Sequence, residues 1–318
     1  MKKILLILCI ATLCLSALPS CGEDRAEEGA FYTFKDSLGN EVALDERPRR
    51  VAVLFSSFAD IWQLAGGRVD ITVGDAVEAG HAPKDAVTVD EGSGHSGINT
   101  ELLAAASPDL VIGTADYPAQ VQACDVMRSL GVPAAALRVE SFDDYLRTLK
   151  IFTDILGTDQ RYVQYGQSLS EKIARLKSEY SPASECDMLF LRVTKSSHKA
   201  MSTDKHFAAS MIEELGVVNI ANGADSFVGG DLLELALRCD PCYVFVSFMG
   251  DEDSARAYID SVLATDAWSS LSAVKEGRVI YLPKTLFQLK PNELWADAYG
   301  FLIDAISSEG VHYAHKNT

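Results

Sequence analysis

With 318 residues, 48% of them hydrophobic, the chain can bury one core or two, and its length favours about two domains. A formal net charge of −17 excludes nucleic acid as a natural partner, because phosphate binding needs clustered Lys and Arg. The charge fits an exposed, soluble protein without naming a ligand.

The N-terminus reads as a targeting segment. Lys2 and Lys3 precede an apolar run over residues 4–18, too short to span a bilayer comfortably. The run ends in Leu18-Pro19-Ser20-Cys21-Gly22, which resembles a bacterial lipobox with Pro19 as an uncommon middle residue. Residues 1–20 are therefore expected to be a signal peptide and Cys21 a lipidation site. The acidic stretch 21–30 is expected to be a lipidated spacer. No later run reaches the roughly 18 apolar residues of a membrane helix. The expected mature protein is extracytoplasmic, lipid-anchored to a membrane and otherwise soluble, at the cell surface or in a periplasm.

Residues 31–44 predict a hairpin with its turn at 36–40, where Gly39 can take positive φ. Residues 51–55 predict a buried strand and 58–64 a helix ending at Gly66-Gly67. Short strands are expected at 69–74 and 87–89. Asn99 is placed to cap the helix that carries Glu101, and Pro108 to end it before a strand at 109–113. Helices at 119–130 and 141–156 flank a strand at 134–139. Over 158–180, Tyr162, Tyr165, Leu169, Ile173, Leu176 and Tyr180 recur at spacings of three and four. That is one apolar stripe on a helix of about six turns. A long helix between two halves is a rigid connector, so the halves should move little relative to one another.

The second half repeats this logic. Strands are expected at 188–193, 243–247 and 279–282, with helices at 207–215, 255–263 and 292–306. Asp231 is placed to cap the helix of Glu234. The pattern Glu101…Pro108-strand recurs as Glu234…Pro241-strand, with the same offset of seven residues. Alternating strands and helices in each half predict an α/β fold: two parallel-sheet lobes at 31–156 and 183–318, joined by a single long helix at 157–182.

Of the seven cysteines, Cys124, Cys186, Cys239 and Cys242 lie beyond the leader and lipobox. Cys239-Asp-Pro-Cys242 has the C-x-x-C spacing but bridges a helix end and a strand start. It lacks the second pair of a zinc site and the helix N-terminus of a redox motif. Core thiols or a strained pair are the expected reading, and whether Cys239 and Cys242 form a disulfide stays open.

Four features stand together in order along the chain: Asp36-Ser-Leu-Gly-Asn-Glu-Val with Pro48-Arg-Arg50-Val, Asn99-Thr-Glu101…Pro108-Asp109-Leu-Val-Ile, the long helix, and Trp268…Leu271-Ser-Ala-Val-Lys275-Glu-Gly-Arg278-Val. On these the mature chain resembles the Fe/cobalamin periplasmic-binding family, the substrate-binding proteins of ABC importers for ferric siderophores, haem and cobalamin. The likeness implies ligand in a cleft between the lobes, no cofactor of the protein's own and no catalysis. It also implies that a Glu on each lobe, here Glu101 and Glu234, meets Arg on an ABC permease dimer with its ATPase. Residue physics offers a second role for both: first-turn acids favour the helix dipole, and Asp231-x-x-Glu234 resembles a capping box.

Ligands of open α/β sheets bind beyond the carboxyl ends of strands. That rule selects Ser56, Ser57, Phe58, Asp75, His95, Asp116 and Tyr117 in the first lobe, and Lys195, His198, Phe248, Met249 and Phe287 in the second. Aromatic and polar groups facing a cleft suit a large planar or amphipathic chelate. Gly94-His-Ser96-Gly97 lacks the final Gly of a nucleophile elbow, since Ile98 follows, so an α/β hydrolase is the weaker alternative. His81, His95, His198 and His206 fall on separate loops without H-x-H spacing, which disfavours a bare metal site. Tyr117 or His95 has the chemistry of an axial haem ligand. The expected function is capture of an iron chelate, ferric siderophore or haem, by a monomeric lipoprotein that hands it to the permease, with cobalamin as the alternative ligand.

Overall fold

The computed structural model describes residues 30–90, 97–181, 186–223 and 229–307. The leader, Cys21 and His95 lie outside them. The described chain opens with an antiparallel hairpin of β1 (Tyr32–Lys35) and β2 (Glu41–Leu44). Gly39 turns it at φ 85°. The Asp36 carboxylate accepts the Leu38 and Asn40 amides at 3.0 and 2.8 Å, and the Ala136 amide at 3.2 Å. The turn is thereby fastened to the edge of the first sheet.

That sheet holds β3 (Val51–Val53), β4 (Ile71–Thr72), β5 (Val87–Thr88), β6 (Leu110–Thr114) and β7 (Ala134–Leu137). All are parallel, in the order β5-β4-β3-β6-β7. Between and after the strands run α1 (Ser56–Leu64), α2 (Gly74–Glu78), α3 (Thr100–Ala105), α4 (Pro118–Ser129) and α5 (Phe142–Leu156). β3, β4, β6 and β7 are buried on both faces, as a helix-covered parallel sheet requires, and so read as apolar runs without alternation, while the edge strand β5 is partly exposed. Helix α1 begins two residues before its expected start, which puts Ser56 and Ser57 in its first turn.

The expected single helix over 158–180 is a helical rod in three parts. α6 (Asp159–Tyr162) leads into a π-helical turn, Val163–Gln167, and then α7 (Ser168–Glu179). Inside the π turn the Tyr165 carbonyl accepts from Tyr145 Oη at 2.9 Å. A Cβ on Gly166 would meet the Tyr162 ring at 3.1 Å and Leu146 at 3.3 Å, so the side chains close over the bare backbone. Of the stripe, Ile173 is fully buried, while Tyr162, Tyr165, Leu169, Leu176 and Tyr180 pack half-buried on the core.

The second lobe follows with β8 (Cys186–Val193), β9 (His198–Ala200), α8 (Phe207–Glu214), β10 (Val217–Asn219), α9 (Gly229–Cys239) and β11 (Tyr243–Phe248). After these come α10 (Glu252–Leu263), α11 (Asp266–Ser269), α12 (Ser272–Lys275), β12 (Val279–Tyr281), α13 (Lys284–Phe287) and α14 (Trp295–Ser307). Its parallel order is β10-β8-β11-β12, with β9 antiparallel on β8.

The twin units share a backbone device. Ser107 and Asp240, at φ 52° and 44°, stand directly before Pro108 and Pro241. Proline bars the right-handed helical region to the residue before it, and the chain resolves this with one left-handed residue. Glu101 and Glu234 each lie six residues before that point. Asn99 caps α3, accepting the Leu102 amide at 2.9 Å. The expectation for Asp231 is corrected: α9 starts at Gly229, so Asp231 lies inside its first turn and the capping box with Glu234 cannot form.

One apolar cluster spans both lobes, from Val53, Trp62 and Phe152 through Ile173 to Phe190, Phe207, Trp295 and Leu302. Helix α14 packs along α7. Polar clasps reinforce it: Lys177 reaches Glu214 at 2.7 Å, and Lys172 reaches Asp297 at 2.7 Å.

Candidate ligand-binding cleft

In each sheet the first strand of the series is central, and later strands add on both sides. β3 lies between β4 and β6, and β8 between β10 and β11. Connections leave these pairs in opposite directions, so a crevice opens beyond their carboxyl ends. The two lobes meet at this level: Lys290 of the second reaches Glu140, just past β7 of the first, at 2.9 Å, and Asn292 reaches the Ser57 carbonyl at 3.1 Å.

Tyr117 is the N-cap residue of α4, and its ring stands edge-on to Phe55 at 5.8 Å. Burial raises its phenol pKa, Asp116 and Asp75 raise it further, and Arg192 opposes them. The phenol is therefore held in its protonated form.

Arg192 is the half-buried residue of an otherwise buried run, Met188–Val193. Its guanidinium donates to Met249 Sδ at 3.1 Å. Among the described residues no carboxylate forms an ion pair with it. Next to it His206 caps α8, its Nδ1 accepting the Ala208 amide at 3.2 Å. That bond places the ring proton on Nε2, which faces Ser247 Oγ at 3.4 Å. Burial, with Lys290 and Arg192 nearby, pulls the His206 pKa down to about 3, so the ring is neutral. Lys290 lies over the Phe207 ring at 4.9 Å and crosses the cleft to Glu140 at 2.9 Å.

Several sequence-selected residues stand elsewhere. Phe58, Phe248 and Phe287 are about 1% exposed and belong to the core. Phe248 stacks on Tyr281 with Arg256 over its face, and Phe287 packs between Phe207 and Phe301. Phe248 ends β11, Phe287 ends α13 and Phe58 lies in the first turn of α1; each turns inward, and apolarity alone does not distinguish inward from cleft-facing. His198 also departs from expectation: its Nδ1 meets Tyr258 Oη at 3.0 Å and its ring packs on Trp268, against the outer helices. Burial lowers its pKa.

Ser56 and Ser57 are buried beneath the rim. Ser56 Oγ pairs with His81 Nδ1 at 3.0 Å, and Ser57 is held by Asn292. Asp116 is exposed and bound to Arg138 at 2.6 Å. Lys195 is exposed on the turn after β8. Asp75 in the first turn of α2, Tyr117 and Met249 keep partly open positions around the crevice. Glu101 and Glu234 are exposed on α3 and α9. Among the described residues no three His, Cys, Asp or Glu side chains converge as a metal site would require.

Residues 51–286 match the family described as Periplasmic binding protein. The chain belongs to that family. Its two parallel-sheet lobes on one long helix are the class III form of the fold. Among solved structures it is similar to Staphylococcus aureus SirA complexed with staphyloferrin B, at 16% identity and TM-score 0.63, over 86% of this chain and 96% of that one. The Roseiflexus sp. RS-1 heme-binding protein RhuT gives 18% identity and TM-score 0.62, over 83% and 99%. The vitamin B12 binding protein BtuF of Vibrio cholerae gives 16% and TM-score 0.66, over 82% and 97%. Identities this low carry the fold alone. No curated protein matches the sequence.

In this family member, sequence reasoning missed Arg192, His206 and Lys290 as residues of the crevice. Arg192 carried a signal: a charge inside the apolar run Leu189-Phe-Leu-Arg-Val193 is costly unless something compensates it. Lys290 and His206 carried none, since their placement depends on how distant segments meet.

Proposed function

We propose that the chain is the extracytoplasmic binding lipoprotein of an ABC importer, a binding protein rather than an enzyme, which captures a negatively charged iron chelate between its lobes. The observation that carries this reading is Arg192. Among the described residues its half-buried guanidinium hydrogen-bonds only a thioether, a weak acceptor. An anionic oxygen from a ligand restores the lost solvation with a charge-assisted bond. Lys290 is already paired with Glu140, so Arg192 carries the requirement. Ferric siderophores with carboxylate or catecholate groups, and haem with its propionates, meet that requirement with several anionic oxygens; cobalamin offers a single phosphodiester. Cys21 as lipid anchor, the lobes at 31–156 and 183–318, and Glu101 and Glu234 as permease contacts complete the proposal.

The test is calorimetric titration of the purified protein with ferric siderophores of different donor class, with haemin and with cobalamin. An anionic chelate should bind, and Arg192→Ala should weaken it about tenfold or more, since a charge-assisted bond contributes about 1.5–3 kcal/mol. Binding of cobalamin alone, or normal affinity in Arg192→Ala, would refute the reading.

A further inference from the structure

β8 and β11 pair in parallel with Tyr243 opposite Met188. Cys242, one residue before β11, is therefore level with Asp187, and Cys186 sits one step diagonally away. Strand spacing of about 4.8 Å and a one-residue offset of about 3.3 Å put the two Cα atoms about 6 Å apart. A disulfide spans Cα separations of about 4.4–6.8 Å. Cys242 lies on the bend before β11, outside the strand's alternation, and its thiol is close enough to that of Cys186 to interact with it. Cys239, its partner by C-x-x-C spacing, is instead exposed at the end of α9, with the left-handed Asp240 and Pro241 between the two. Cys124 is buried in the other lobe, its thiol donating to the Ala135 carbonyl at 3.6 Å.

We infer that Cys186 and Cys242 are a covalent modification site, joined as a cross-strand cystine in the mature protein. The inference rests on the extracytoplasmic location proposed above, where disulfides persist. The step is thiol–disulfide exchange with the disulfide of a dithiol oxidase. One cysteine thiolate attacks that disulfide, a mixed disulfide forms, and the second cysteine displaces the oxidase. Two protein thiols are oxidised and the oxidase disulfide is reduced to two thiols, which carry the two protons. Burial raises the Cys242 pKa, as does its bond to Cys186, opposite to the lowered thiol of a redox enzyme. The pair is structural by its position. It lies at the amino ends of the strands, away from the ligand edge, beside Tyr180 and Tyr243 where the chain leaves the connecting helix. The bond would tie the entry strand of the second lobe to its neighbour before the lobe receives any load from ligand or permease.

The experiment treats the purified full-length chain with glutathione disulfide, alkylates remaining thiols, and maps peptides by mass spectrometry without reduction. The expected result is a peptide linked between Cys186 and Cys242, retained in Cys239→Ser and lost in Cys186→Ser. Oxidation should raise the melting temperature by several degrees in wild type and leave Cys186→Ser unchanged. A Cys239–Cys242 link, or alkylation of both Cys186 and Cys242 after oxidation, would overturn the inference. Because peptide mapping needs neither ligand nor export, its outcome is independent of whether the chelate reading holds.

Discussion

The Ala208 amide donates to Nδ1 of His206, so a proton on that nitrogen would cost α8 its cap. The sign of the resulting pH dependence follows from the shift. The folded pKa, about 3, lies below the unfolded value of about 6.5, so the unfolded chain binds the proton first. Stability from this group is complete above about pH 6.5 and is lost as pH falls toward 3, by up to about 1.4 kcal/mol per pH unit. The lowered pKa of His198 adds a loss of the same sign. Urea unfolding at pH 7 and pH 5 should show it, and His206→Asn, which can still cap, should flatten the slope; an equal slope in that variant would assign it elsewhere. Asn292 makes a separate case. At φ 48° and 2% exposure, it donates to the Ser57 carbonyl at 3.1 Å and to Asp60 at 2.6 Å. Asn292→Ala should lower stability by about 2 kcal/mol or more, because it leaves buried acceptors unmatched and keeps the left-handed backbone. Equilibrium denaturation measures this, and a loss below about 0.5 kcal/mol would deny the contact its role.

At the scale of elements, the repeated helix–proline–strand unit was legible because proline punctuates both copies and the strands are continuous apolar runs. The strands β9 and β10 were not: His198–Ala200 and Val217–Asn219 are three residues long and gain their order from β8 alone. The connecting rod was legible from its stripe, while its π turn was not, since spacings of three and four are common to both helix types. Inward and outward aromatics at strand ends were the least legible, as Phe248 beside Met249 illustrates: the first is buried on Tyr281 and the second holds Arg192. The rod carries its own prediction. Packed against α14 and clasped to Glu214 and Asp297, it should permit little closure of the lobes. Small-angle scattering with and without bound chelate should show nearly equal radii of gyration; a large contraction on binding would contradict a rigid connector.

At the scale of the molecule, Glu101 and Glu234 mark equivalent places on two lobes held by that rod. A fixed pair of negative points can select a dimeric permease and set the orientation of docking. Each exposed ion pair contributes only about 0–1 kcal/mol, and rim charges act mainly on encounter rate and register. Glu101→Arg or Glu234→Arg should abolish chelate-stimulated transport in reconstituted vesicles while chelate affinity stays near wild type. Normal uptake in both reversals would leave these residues as ordinary helix acids. The contact of Asn292 with Ser57 joins positions 235 residues apart, and this bears on the order in which the chain acquires its shape. Synthesis proceeds from the N-terminus, so α1 emerges long before the segment that completes it. Until the last tenth of the chain arrives, Asp60 and the Ser57 carbonyl keep water in place of their eventual partner. The first lobe is thus left unfinished, by its connectivity, until synthesis is nearly complete.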